Sequence, residues 1–119
     1  MSKSISIALA GLLGVAAIAN GVYMLMLPES WYFAVPGVTT TGPFNQHFVR
    51  DIGLVFLFLG GAFLIGAAHP QMRAMLWGGA TIWLSGHALF HFWEVAVGIA
   101  RPRTSRAISQ PSRCRRSSA

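Results

Sequence analysis

From Ile5 to Leu27 the chain carries neither a formal charge nor a proline. At about 1.5 Å of rise per residue, a run of this length covers the roughly 30 Å of a bilayer's hydrocarbon, so the pattern predicts a membrane-crossing helix. Pro28-Glu29-Ser30 ends it. The segment from there to Phe44 holds Trp31, Tyr32, Pro36-Gly37, consecutive threonines and Gly42-Pro43, and reads as a long loop with aromatic anchors at headgroup level. Asn45 is placed to cap a second helix from Gln46, with Arg50 and Asp51 in its first turns and no charge from Ile52 to Ala68. His69-Pro70-Gln71 forms a tight connection. A third run has no formal charge from Ala74 to Trp93 and continues through Val95 to Ala100. The expectation is an all-α membrane helix bundle over residues 1–100, with three spans at about 5–27, 46–68 and 73–99, followed by a flexible basic tail over 101–119.

One rival applies to the first span. Lys3, the apolar stretch after it and Ala17-Ile18-Ala19 imitate a secretory signal with its cleavage site. The apolar run continues through Gly21 to Leu27 without a break, which favours a retained helix.

Composition agrees with lipid as the solvent. Of the 119 residues 54% are hydrophobic and only 10% charged, against about 25% charged in a soluble domain, and a chain this short has too little interior to hide that surplus. The net charge of +6 suggests nucleic acid until the charges are placed. Arg101, Arg103, Arg106, Arg113, Arg115 and Arg116 all fall in the tail, where they suit the anionic cytoplasmic face of a membrane better than DNA or RNA. A cytoplasmic tail follows as the expected orientation, although Lys3 and Arg73 nearly balance Arg50 when the tail is set aside. Cys114 is the only cysteine, so neither an intrachain disulfide nor a cysteine metal cluster is available.

Small residues recur at helical spacing: Ala10 and Gly14, Ala17 and Gly21, Ala62 and Gly66, Gly78-Gly79 and Ser85-Gly86. Such seams let helices approach closely in lipid, although glycine is common in membrane helices in any case.

The chemistry-bearing residues concentrate in two stretches. With about 100° between successive residues, His91 and Glu94 fall about 40° and −20° from His87, so the three share one helix face. On the second helix His47, Arg50 and Asp51 also lie within a broad sector, and antiparallel folding of the last two helices brings both groups to one membrane depth. Asn20 and Tyr23 of the first helix reach that level. Three readings compete. The cluster is a satisfied structural network holding the helices together. Alternatively it is a zinc, copper or iron site, or a haem site with His47 and one of His87 and His91 as axial ligands, the candidates being His47, Asp51, His87, His91 and Glu94. The third reading is a proton or small-ligand site, such as a quinone pocket walled by Trp83, Phe90, Phe92 and Trp93. No nucleophile is paired with a base: Ser85 and His87 point about 160° apart.

The first helix ends in Leu-Pro-Glu, a Trp-Tyr-x-x-x-Pro-Gly loop follows, and Arg50-Asp51-Ile52-Gly53 opens the next helix ahead of a tight turn and another span. Over residues 5–98 this layout resembles small bacterial inner-membrane proteins of DoxX-like architecture. The resemblance implies a four-helix bundle and a role assisting redox or stress-response complexes. This chain departs from that plan, because the arginine tail stands where a fourth span would come. The expected function is that of an accessory or assembly subunit of a membrane complex, contacting lipid and either other subunits or a second copy. The alternative is a metal-, haem- or quinone-binding redox protein.

Overall fold

The computed structural model describes residues 2–98, and these form helices with no strand among them. The helices are α1 (Lys3–Met26), α2 (Pro28–Ala34), α3 (Gln46–Ala68) and α4 (Arg73–Ala96). The tail arginines, Cys114 and the last residue of the expected third span lie outside the described residues.

α1 begins where Ser2 accepts a hydrogen bond from the Ile5 backbone N–H, and it ends at Leu27, whose backbone turns out of the helical region. The segment expected to be a loop then differs from the sequence pattern, because it re-enters a helix at once. Pro28 occupies the first helical position, where its missing N–H costs nothing, and Glu29 in the same turn complements the helix dipole. The Trp31 N–H donates to the Leu27 carbonyl, which ties α2 to the end of α1. α2 stops at Val35, ahead of Pro36, since a residue preceding proline is pushed away from helical angles. Gly37 takes φ of 87°, a left-handed turn that a side chain would strain, and opens a 3-10 turn over Val38–Thr40. Tyr32 is buried against Phe33 and Phe44, and its hydroxyl donates to the Gly42 carbonyl, so the segment folds onto itself. Asn45 caps α3 as expected, its side chain accepting from the Phe48 N–H.

α1 and α3 pack through two glycines on each helix, spaced one heptad apart. Gly14 faces Gly60 and Gly21 faces Gly53. A Cβ added at Gly60 would stand 2.7 Å from the Gly14 carbonyl oxygen, and one at Gly21 would stand 2.7 Å from that of Gly53. The backbones are therefore as close as glycine allows, and dispersion across that seam is the attraction available where lipid removes the hydrophobic drive.

The joint between α3 and α4 is built differently. Trp77 lies over Gly66 and donates its indole N–H to the Phe63 carbonyl at 3.1 Å. Arg73 donates from Nε to the Gly66 carbonyl and from Nη2 to the Ala67 carbonyl, satisfying acceptors left free at the end of α3, and its guanidinium stacks over the Trp77 ring. Ala10, Leu59, Phe63 and Ala80 form the buried core between the helices. No Cα of α4 comes within 8 Å of one in α1, so α3 is the central helix and the other two flank it.

Many large apolar side chains face outward while glycines and alanines share the inside with a few larger residues: Leu12 is 68% exposed and Phe58 79%. That inverts a soluble domain, where such side chains fill the core. By length and apolarity two helices, α1 and α3, can cross a membrane. The expectation of three such helices is corrected here. α4 is long enough but not apolar enough, because Arg73, His87, His91, Glu94, Ser85 and a run of glycines and tryptophans dilute its aliphatic content.

Candidate functional site

The position of each ionisable residue follows from how α3 uses its surface. The residues that meet α1 (Gly53, Leu57, Gly60) and those that meet α4 (Phe56, Phe63, Gly66) lie about 100° apart around the helix. His47 and Asp51 fall about 130° from both sectors, on the side that neither neighbour covers. They pair with each other, Nε2 to Oδ2 at 3.2 Å, and the His47 side chain is 87% exposed. Arg50 falls beside the α1 sector, and its Nε donates to the Leu25 carbonyl at 3.1 Å.

His87, His91 and Glu94 continue the stripe with which α4 meets α3. Ala80, Trp83 and Leu84 of that stripe pack against α3 midway along α4, and the trio follows them toward the end of the helix. The Nε2 atoms of His87 and His91 are 3.1 Å apart, and Nδ1 of His91 is 2.9 Å from Oε2 of Glu94. Trp83 stacks on the His87 ring at 4.8 Å, with 14° between the planes. Glu94 is buried, at 8% exposure, while the side chain of His91 is 51% exposed. An ionised Glu94 accepts from Nδ1 of His91, and in a neutral imidazole Nε2 then presents a lone pair toward His87.

Among the described residues the hydrogen bonds and ion pairs run within these groups and none joins them. The single shared cluster expected from the sequence is thus two clusters at a similar level, aimed in different directions. Among the described residues no group of three or more histidine, cysteine, aspartate or glutamate side chains is set to hold one metal ion. His47 also points away from both α4 histidines, which separates the pair expected to ligate a haem. Asn20 and Tyr23 serve α2 instead: the Trp31 indole N–H donates to Oδ1 of Asn20 at 2.9 Å, and the Tyr23 hydroxyl bonds Ser30 at 2.9 Å. Phe90 stacks on Trp93 beside His91, but Phe92 and Trp93 face outward, so the expected aromatic walls do not close a pocket.

Two features escaped the sequence pattern. Gly53 and Gly60 complete the α1 seam, and their heptad spacing, which matches that of Gly14 and Gly21, was the available signal. The second is a groove of about 240 Å³ between α1 and α4 along α3, lined by Leu13, Ala17, Asn20, Phe56, Phe63 and Leu84. It is apolar and smaller than the roughly 300 to 1,000 Å³ of small-molecule sites, so it suits the side chains of another helix better than a bulky cofactor. The small-residue face expected on α4 is also open: a Cβ on Gly78, Gly79 or Gly86 would meet nothing within 4 Å. A scan of protein-family models, a search of curated proteins and a search of solved structures each found no match to this chain.

Proposed function

We propose that this chain is a multi-pass protein of the bacterial inner membrane, with α1 and α3 crossing the bilayer, α4 packed against α3 and the basic tail in the cytoplasm, and that it serves as an accessory or assembly subunit of a membrane complex. The observation that carries this reading is the open groove along α3. α4 is the least apolar of the three long helices, and among the described residues it leans on α3 alone. Ionisable side chains at membrane depth are costly when exposed to lipid, so such a helix is stabilised by further protein cover. A helix of another subunit, or of a second copy, seated between α1 and α4 supplies that cover and fills the fourth place of a DoxX-like bundle.

The test is cross-linking in native membranes. Leu13→Cys and Leu84→Cys, each made in a Cys114→Ser background, put single thiols on opposite walls of the groove. Both are expected to trap a protein adduct, whereas Phe58→Cys on the outer side of α3 traps none. If neither groove thiol forms an adduct and the protein migrates alone as a monomer, the accessory reading is wrong. The alternative, a metal-, haem- or quinone-binding redox protein, keeps one observation in its favour: the hydrogen-bonded trio on α4.

A further inference from the structure

The geometry points to a two-histidine site for a divalent transition metal ion on α4, formed by His87 and His91 with Glu94 as its orienting carboxylate. The inference rests on the alternative reading above and narrows it to one class of ligand. It needs neither His47 nor Asp51.

Histidines four residues apart put two imidazoles on one face, but that spacing alone leaves their ring atoms free to point anywhere. Here the two Nε2 atoms stand 3.1 Å apart. Two nitrogens at that separation, each about 2.0 to 2.1 Å from one ion, subtend about 100° at it, between the square-planar and tetrahedral angles. Each ring is also held from behind. Glu94 accepts from Nδ1 of His91 and so fixes the tautomer whose Nε2 lone pair faces the ion, the arrangement by which a carboxylate orients a ligating histidine. Trp83 stacks flat on His87 and limits its rotation.

Without an ion the two Nε2 atoms share a hydrogen bond. Binding requires the shared proton to leave that position, so that both Nε2 lone pairs face the ion. The side chain of His91 is half uncovered by protein, which leaves the ion's remaining positions open to an incoming ligand. Such a site is open and exchangeable, unlike a closed structural centre. Copper(II) binds such imidazole pairs more tightly than zinc or nickel.

The experiment uses the full chain, without a polyhistidine tag, in detergent and titrated with copper(II). One equivalent is expected to give an electron paramagnetic resonance spectrum with coupling to two imidazole nitrogens. His87→Ala and His91→Ala each leave one coupled nitrogen and weaken binding at least tenfold. Glu94→Gln keeps both nitrogens and weakens binding about ten- to a hundredfold, an effect that a purely structural Glu94 would not produce while circular dichroism stays unchanged. His47→Ala and His69→Ala bind as the parent does. Coupling to fewer than two nitrogens, or binding unaffected by His87→Ala and His91→Ala, overturns the site. A haem band or an extractable quinone in protein that fails this test overturns the site while leaving the broader redox reading intact.

Discussion

Gly60 and Gly61 are neighbours in α3, yet the structure assigns them opposite responses to one added methyl group. A Cβ at Gly60 would sit 2.6 Å from Cγ1 of Ile18, 2.7 Å from the Gly14 carbonyl oxygen and 3.0 Å from the Ile18 backbone nitrogen. The side chain can rotate away, but the two backbone atoms belong to α1. Restoring an ordinary carbon-to-oxygen contact of about 3.3 Å moves the helices apart by about 0.6 Å. That separation weakens dispersion along the whole seam, and overpacking of this kind costs about 1 to 3 kcal/mol. A Cβ at Gly61 meets nothing within 4 Å. Both substitutions gain the same helix propensity, up to about 1 kcal/mol. Gly61→Ala is therefore expected to be neutral or stabilising by up to about 1 kcal/mol, and Gly60→Ala to lie about 1 to 3 kcal/mol below it. Unfolding both variants in mixed micelles by titration with a denaturing detergent, followed by circular dichroism, measures the difference. If Gly60→Ala is as stable as Gly61→Ala, the close approach of α1 and α3 at this position is refuted.

Other substitutions probe the remaining joints. Arg73→Gln removes the guanidinium that closes the end of α3 and is expected to cost about 1 to 3 kcal/mol in the same assay, with the loss concentrated where α4 docks. Trp31→Phe leaves Oδ1 of Asn20 without its indole donor and should lower stability by about 1 kcal/mol, with faster hydrogen exchange in α2 as the local readout. His47→Ala disrupts an exposed pair within one helix turn and should change stability by less than about 0.5 kcal/mol; a larger loss would mean that His47 is engaged elsewhere.

The sequence by itself determined the long helices and the turn between α3 and α4. Those depend on local quantities: uninterrupted apolar length, the capping side chain of Asn45 and the break at His69-Pro70. It also determined that His87, His91 and Glu94 share a face, because helical spacing is fixed by the backbone. The hydrogen-bonded trio seen in α4 is the direct result. α2 was hidden because Pro28 reads equally as the end of one helix and the first residue of the next, and only the continued hydrogen bonding through Leu27 and Trp31 distinguishes them. Nor could spacing decide whether His47 and Asp51 join the α4 trio, since facing one way on α3 does not say which way. Tertiary packing decided it: once the glycine seam gives one side of α3 to α1 and Trp77 and Phe56 give the next to α4, the sector left over is the one that carries His47 and Asp51. The groove between α1 and α4 has the same origin, because two helices that each pack on a third, and not on each other, leave a channel that no single helix encodes.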